Sequence, residues 1–273
     1  MEPTISICAI VKNEEKNIKG MIDNVKDVAD EIIIVDTGSS DRTVNIIKQL
    51  INEEHNKIKL YHYQYQGSFH YGRARDFSIK KATKDYIIIL DLDERLSNEF
   101  KAGIAGFLEK EKPIVASVKR VDDLLHHLVD YSERIIKNHQ NIFYDTSESG
   151  RVHEGLVHSC EVKDFACSIW HCQRGNHYVQ RPQRIFFQLE LQIERVPKTK
   201  SFIGHCIRGL WYFQYRFKKL FFRRRLYKDG LAGFKYSFIR ALDAFLIEFF
   251  VGLKPKKDYK YWEEAKYKNY NKK

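Results

Sequence analysis

Long apolar runs are missing from this 273-residue chain: no stretch of 18 or more uncharged apolar residues occurs, so a membrane-spanning helix is not expected. The five cysteines form no CxxC pair, and their odd number fits free thiols in a reducing compartment better than a disulfide framework. The N-terminus has no basic patch followed by a long apolar run, so we expect no secretory signal. Neither GxxxxGK[ST] nor GxGxxG is present, which leaves P-loop and dinucleotide-binding proteins without support.

Charge is distributed unevenly along the chain, whose net charge is +11. Residues 176–273 carry 23 Lys and Arg against 8 Asp and Glu, a net charge of +15, whereas residues 1–175 carry 24 against 28, a net charge of −4. We therefore expect a catalytic domain over 1–175, a helical basic extension over 176–253 and a frayed basic tail over 254–273. Such a basic part suits nucleic acid, anionic lipid or a phosphorylated glycan, or it only solubilises the protein.

The first 90 residues alternate between strand and helix patterns. Four short apolar runs predict buried strands and cover residues 5–11, 31–35, 59–63 and 86–90. The segments between them have helical spacing, which predicts an α/β domain with a mainly parallel sheet flanked by helices. Ligands of such sheets bind at the carboxyl ends of the strands, where Asp36 and the Asp91-Leu92-Asp93 segment fall.

Later segments predict further elements. Two strands are expected over 114–121 and 168–171, and a helix over 183–196. Residues 231–250 have the spacing of an amphipathic helix, and residues 218–225 interleave cations with aromatics.

Two aspartates two positions apart, Asp91 and Asp93, follow the fourth predicted strand. Carboxylates so placed can meet one divalent cation and the oxygens of a phosphorylated ligand, although the same pattern also occurs in helix starts and solvated turns. In the loop after the second strand, Asp36 can accept hydrogen bonds from a ribose or a base. Asp41 in the same loop can cap the next helix.

Three weaker signals accompany these aspartates. Asn13-Glu14 ends the first strand. Arg73 and Arg75 precede the fourth strand, where they can hold a diphosphate through charge-assisted hydrogen bonds or simply pair with nearby aspartates. The third signal is the His153-Glu154 pair. Glu154 can act as a general base and His153 can contact a metal or a phosphate, although such a pair also occurs in a structural role. His171 is a similar case.

The order of these segments resembles glycosyltransferase family 2, the GT-A nucleotide-sugar transferases. The matching segments are residues 6–15, 34–43, 72–76 and 88–94. Further along, residues 152–154, 169–171 and 227–234 resemble one branch of that family, the glucosyltransferases of the lipopolysaccharide inner core and their relatives.

This resemblance implies a nucleotide-sugar donor, often UDP-linked, and a divalent metal, Mg or Mn. The residues it assigns to the nucleotide sugar are Asn13, Glu14, Asp36, Arg75 and Asp91. We expect Asp41 and Arg73 to contact the nucleotide sugar as well. It assigns the metal to Asp93, and catalysis to Asp93 and to Glu154 as base. We expect His153 to be a further metal ligand. The sequence departs from the family at Asp76, where Asn is usual, and at Leu92, where Ala is more common.

Granted those roles, the reaction is a single displacement that inverts the anomeric carbon of the sugar. The expected acceptor is a cell-envelope glycan or lipid-linked glycan such as the lipopolysaccharide inner core. The expected location is cytoplasmic, with the basic extension lying on the anionic inner face of the membrane. Packing of its apolar stripe on the catalytic domain, or on a second copy in a homodimer, stays open.

Two other classes of protein compete with this interpretation. Residues 87–94 also resemble the nucleophile strand of haloacid-dehalogenase-type phosphatases, although that strand normally lies near the N-terminus. A nucleic-acid-binding protein would use the basic extension. No nucleic-acid-binding module is recognisable in the sequence, so we expect no nucleic-acid partner.

Overall fold

The computed structural model describes residues 2–53, 57–65, 69–146, 155–172 and 200–253. The chain divides into two compact units, residues 1–174 and residues 175–273. The predicted helix over 183–196 and the predicted tail over 254–273 lie outside the described residues.

The first half of unit 1 confirms the predicted alternation of strands and helices. Its elements are β1 (Ile5–Val11), α1 (Ile18–Val25), β2 (Glu31–Asp36), α2 (Thr43–Glu53), β3 (Ile58–His62), α3 (Tyr71–Ile79) and β4 (Tyr86–Ile89). The four strands are parallel neighbours in the order β3-β2-β1-β4. Strand β2 is buried along its whole length, as expected for a central parallel strand covered on both faces.

The second half of unit 1 completes an eight-stranded sheet in the order β3-β2-β1-β4-β7-β6-β10-β5. Its elements are β5 (Glu94–Leu96), α4 (Asn98–Glu111), β6 (Val115–Asp122), β7 (Val129–Lys137), β8 (Phe143–Tyr144), β9 (Leu156–Val157) and β10 (Val162–His171). Strand β7 runs antiparallel to both of its neighbours, and β5 runs antiparallel to β10. Strands β8 and β9 form a separate two-stranded ribbon.

Five of these strands differ from the sequence prediction. Strand β10 begins at Val162, six residues before the predicted start at 168, and β5, β7, β8 and β9 were not predicted. The first five residues of β7 are Val-Asp-Tyr-Ser-Glu, and only its end is apolar and buried, so it lacks a clear apolar period.

Apolar side chains cover both faces of the sheet. Helices α1, α2 and α4 contribute to the core on one face, and α3 packs on the other. The predicted inner face of α1, which consists of Ile18, Met21, Ile22 and Val25, is fully buried. The loops after β1, β2 and β4 therefore emerge together at the carboxyl edge of a rigid sheet.

The described part of unit 2 is a helical hairpin. Helix α5 (Phe202–Lys218) leads through a π-helical turn (Lys219–Arg223) and a 3-10 turn (Leu226–Asp229) into α6 (Gly230–Leu253). The helices approach closely at Gly209, where an added Cβ would lie 3.1 Å from the Phe245 carbonyl oxygen. None of the described helices has both the length and the hydropathy that crossing a bilayer demands.

The predicted amphipathic helix is present as α6, but its burial does not follow the apolar stripe. Leu231, Phe234 and Phe238 of that stripe are exposed. Glu248 is buried instead, because His205 Nδ1 lies 2.7 Å from its carboxylate and Arg208 Nε donates to it at 2.8 Å. At Glu248 the buried face of α6 therefore forms ion pairs with α5, where packing alone would favour aromatic side chains.

Candidate active site

The loops after β1 and β2 are tied together by hydrogen bonds at the carboxyl edge. The backbone N–H of Asn13 donates to Ser39 Oγ at 2.9 Å, and Asn13 Oδ1 accepts from the N–H of Ser40 at 2.7 Å. The backbone N–H of Glu14 donates to Thr43 Oγ1 at 2.8 Å. Asn13 has φ of +57°, a left-handed conformation that asparagine tolerates better than most residues. The two predicted nucleotide contacts therefore lie on a loop with a defined shape.

Asp36 and Asp41 hold the second loop from inside. Asp36 is buried, and its carboxylate accepts from the backbone N–H groups of Gly38 at 3.2 Å and Ser39 at 3.1 Å. Gly38 has φ of +101°, which favours glycine at the turn. Asp41 Oδ1 accepts from the backbone N–H of Thr43 at 3.0 Å, which confirms the predicted cap at the start of α2.

The strongest electrostatic feature is a network of three arginines and two carboxylates at the end of β4. Arg75 donates to Asp91 Oδ1 at 2.6 Å, and Arg134 donates to Asp91 Oδ2 at 2.9 Å. Arg134 also donates to Glu94 Oε1 at 2.7 Å, and Arg120 Nε lies 2.7 Å from the same oxygen. Arg120 Nη1 also lies 3.8 Å from Asp130 Oδ1, so the three arginines are balanced by three carboxylates next to the loop that carries Asp93.

The arginines decide the ionisation of the first aspartate. Burial alone would raise the pKa of Asp91, but Arg75 and then Arg134 hold it well below its usual range. Burial raises the pKa of Glu94, against the opposing effect of Arg134. Asp91 is thus an ionised carboxylate with an arginine on each oxygen. A phosphatase would need this side chain as its nucleophile, so the arrangement gives that alternative no support.

The second aspartate has a different environment. Asp93 Oδ2 lies 3.4 Å from His171 Nε2, and its side chain is 29% exposed. Burial raises the pKa of Asp93 to about 7, and the negative charges of Asp91 and Glu94 add to the rise. An aspartate surrounded by other carboxylates is stabilised in its charged form by a cation, so the chemistry of Asp93 fits a divalent metal.

The motif suggested that both aspartates meet one cation. In the structure, Asp91 and Asp93 have different partners. Asp91 is paired with arginine, and Asp93 with His171 brings one carboxylate and one imidazole together, both common metal ligands. In the parts of the chain that the structure describes, no group of three or more His, Cys, Asp or Glu residues is clustered as a complete metal site. His153 and Glu154 lie outside the described residues, so their predicted roles stay predictions.

The remaining predicted residues lie on or near α3. Arg73 is exposed on this helix, whereas Arg75 is buried. Asp76, where the family usually has Asn, accepts from the backbone N–H of Tyr144 at 2.7 Å, a bond that an Asn carbonyl would also accept. The ring of Tyr144 lies 5.7 Å from the Arg75 guanidinium. Through its bond to Tyr144, Asp76 thus holds the β8–β9 ribbon next to the arginine network.

Sequence reasoning missed three residues of the network: Glu94, Arg120 and Arg134. Glu94 is fully buried, and Arg134 has a side chain that is only 7% exposed. The available signal was a charged residue within a β-strand pattern, because buried charges are rare unless they are paired. The sequence contains that signal at Arg120, inside the predicted strand over 114–121, but does not identify its partners.

The strand order, with Asp91 and Asp93 at the end of β4, defines a GT-A-like α/β protein. Residues 6–160 match the model of a family described as glycosyl transferase family 2. This match covers more than half of the chain, and the chain belongs to that family.

Known relatives agree with this assignment. Glycosyltransferase SunS, from the SPbeta prophage of Bacillus subtilis (strain 168), is 31% identical over 155 residues, which cover 56% of this chain and 34% of SunS. A TPR repeat-containing protein of Synechococcus elongatus is 30% identical over 155 residues, 56% of this chain and 36% of that protein. This chain thus spans about a third of both relatives. An uncharacterized glycosyltransferase of Rickettsia bellii is 26% identical over 260 residues, 89% of this chain and 84% of its own.

The solved structure of S. aureus TarS supports the fold. It superposes with a TM-score of 0.51 at 12% identity, over 86% of this chain and 55% of TarS. At that identity the likeness shows the fold alone. None of the names of these four relatives specifies a lipopolysaccharide acceptor.

Proposed function

We propose that this protein transfers a sugar from a nucleotide-sugar donor, UDP-linked, to a cell-envelope glycan acceptor such as the lipopolysaccharide inner core, with inversion at the anomeric carbon. The observation that carries the proposal is the contrast between the two aspartates after β4. Arg75 and Arg134 hold Asp91 ionised, while Asp93 faces His171 with a raised pKa. Family membership supports the reaction class, and the branch resemblance of residues 152–154, 169–171 and 227–234 supports the acceptor.

A divalent ion, Mg or Mn, fits Asp93 and His171, and His153 is a further proposed ligand. When bound there, it would supply positive charge that stabilises the departing nucleoside diphosphate. The chain itself contributes the guanidinium groups of Arg75, Arg120 and Arg134 near that position. Arginine is suited to this because its guanidinium stays charged and donates several hydrogen bonds in a fixed geometry.

The nucleotide would lie along the edge formed by the loops after β1 and β2. Asn13, Glu14, Asp36 and Asp41 stand there on a framework held by hydrogen bonds within and between the two loops. Such a framework positions donors and acceptors before the ligand arrives, which lowers the entropy cost of binding. Arg73, which is exposed at the start of α3, is a further proposed contact with the donor.

The acceptor hydroxyl attacks the anomeric carbon on the face opposite the leaving diphosphate. Its proton passes to a carboxylate, for which Glu154 is the candidate base. A single displacement inverts the configuration and needs no covalent sugar intermediate.

A donor screen with one variant tests this function. We expect one nucleotide sugar from a panel to raise the melting temperature in the presence of Mn²⁺, and the same donor to support transfer. Glu154→Gln should lower the turnover rate by about 10²-fold or more while leaving the donor-induced thermal shift almost unchanged, because a general base acts only in the chemical step. If no nucleotide sugar stabilises the wild type, the proposed function is wrong. Equal loss of binding and turnover in the variant would make Glu154 structural.

The helical hairpin of unit 2 would hold the enzyme at the anionic inner face of the membrane. Its turn contains six basic residues and no acidic one between positions 218 and 228: Lys218, Lys219, Arg223, Arg224, Arg225 and Lys228. All six are exposed, and Phe222 and Tyr227 beside them are 57% and 47% exposed. Aromatics next to a basic cluster suit the interface of a bilayer with anionic lipids, since each basic residue adds about 1 kcal/mol of attraction.

Vesicle flotation measures this contact. The wild type should float with vesicles containing anionic phosphatidylglycerol and far less with neutral phosphatidylcholine. Replacing Arg223, Arg224 and Arg225 by Glu should reduce the bound fraction at least about tenfold. The matched control makes the same three charge reversals at exposed Lys48, Lys110 and Lys112 of unit 1 and should keep binding. Equal flotation of both variants, or a homodimer that buries the hairpin and does not float, would contradict the proposal.

A further inference from the structure

A thiol, an imidazole and a carboxylate form a chain beside strand β10. Cys160 Sγ lies 3.3 Å from His158 Nδ1, and His158 Nε2 lies 3.2 Å from Glu133 Oε2. Glu133 comes from β7, whereas the other two residues lie between β9 and β10. Donation of the Nε2–H to Glu133 leaves the lone pair of Nδ1 directed at the thiol. The three groups thus stand in the order nucleophile, base and orienting acid.

The other cysteines of this chain have different surroundings. Burial raises the pKa of Cys8, Cys167 and Cys172, which keeps those thiols protonated and unreactive. The thiols of Cys8 and Cys167 lie within hydrogen-bonding distance of backbone carbonyl oxygens. Among the described residues, Cys160 is the cysteine whose sulfur contacts an imidazole, and it is only partly buried.

The triad of Cys160, His158 and Glu133 supplies what a reactive thiol needs. The thiolate is the nucleophilic form of cysteine, and a neighbouring imidazole favours it by accepting the proton. A carboxylate on the far nitrogen stabilises the resulting imidazolium and fixes the plane of the ring. Glu133 can stabilise the imidazolium and fix the ring plane, because its Oε2 lies 3.2 Å from His158 Nε2. The side chain of His158 is enclosed, at 11% exposed, and that of Glu133 is 33% exposed.

We propose that Cys160 is a modification site that forms a mixed disulfide with a low-molecular-weight disulfide. The Cys160 thiolate attacks one sulfur of the reagent, a new S–S bond forms at Cys160 and the original S–S bond breaks. The departing half leaves as a thiolate and takes up the proton held by His158. A small reagent is favoured over a second protein because Cys160 packs against the apolar core and is only partly accessible.

Intact-protein mass spectrometry with oxidised glutathione at pH 7 tests the proposal on the full chain. We expect one glutathione adduct, mapped to Cys160 by peptide analysis and absent in Cys160→Ser. His158→Gln should slow adduct formation at least about tenfold and Glu133→Gln by a smaller factor. Cys206→Ser, which removes a partly buried thiol in α5, is the matched control and should leave the rate unchanged.

Two outcomes would overturn the assignment. One is preferential labelling of another cysteine. The other is an unchanged rate at Cys160 in a His158→Gln variant whose urea unfolding midpoint equals that of the wild type. Because the readout is an adduct mass and its rate of formation, it is independent of sugar transfer, so its failure would leave the proposed glycosyltransferase function untouched.

Discussion

Replacing Asp93 by Asn is expected to lower the transfer rate by roughly 10²- to 10³-fold, the cost of removing one preorganised electrostatic group from an active site. The amide keeps the shape of the side chain but cannot carry the negative charge that a cation beside His171 requires. Calorimetry should also show weaker binding of UDP in the presence of Mn²⁺. Loss of both signals with an intact fold is the predicted result.

The matched control for this variant is Asp23→Asn in α1. Asp23 is an exposed aspartate paired with Lys19 and Lys26, 70 residues before Asp93 in the sequence. Surface ion pairs of this kind contribute little, so the control should retain wild-type turnover and binding. Full turnover in Asp93→Asn would remove Asp93 from the catalytic machinery and with it the basis of the proposed metal site.

Replacing Arg134 by Met should destabilise the protein by about 3–5 kcal/mol, as expected when one partner of a buried ion pair is removed. Arg134 donates to both Asp91 and Glu94, and Glu94 is fully buried. The methionine fills most of the space but leaves two carboxylates with fewer cations. Urea unfolding monitored by circular dichroism measures the change in the free energy of unfolding.

Two further variants separate charge from packing. Arg42→Met makes the same substitution in an ion pair with Glu15 whose arginine is 80% exposed, and should cost less than about 1 kcal/mol. Adding Glu94→Gln to Arg134→Met should restore part of the lost stability, because it removes one uncompensated charge. If Arg134→Met costs no more than Arg42→Met, the network is not the electrostatic support inferred from its distances.

The local elements of unit 1 were largely predictable because their patterns are strong. The apolar residues of α1 recur at helical spacing and are buried as predicted, and the runs of β1, β2 and β4 are continuous. Strand β7 was not predicted, because its first half alternates polar side chains that gain their partners only within the sheet. A continuous apolar run such as β1 can therefore be predicted from local sequence, whereas a polar strand such as β7 can be assigned only from its partners in the sheet.

The same division holds for the candidate site. Asp91, Asp93 and Arg75 were selected from their motifs, and the structure brings Asp91 and Arg75 into contact. Arg120 and Arg134 were not selected, since they lie in strands that join the site from 26 or more residues further along the chain. The pairing that makes Asp91 an arginine-held carboxylate and leaves Asp93 to His171 depends on those distant residues.

The sequence by itself determined the α/β alternation of the first 90 residues, the acidic segments at the carboxyl edge and the basic character of the C-terminal part. These features follow from apolar periodicity, from turn-forming residues and from charge, all of which act within short stretches of chain. Only the tertiary structure decided which charges neutralise each other, which face of α6 is buried and which thiol meets an imidazole. Those outcomes require groups far apart in sequence to share a low-dielectric space, where a few ångströms decide how strongly two charges interact.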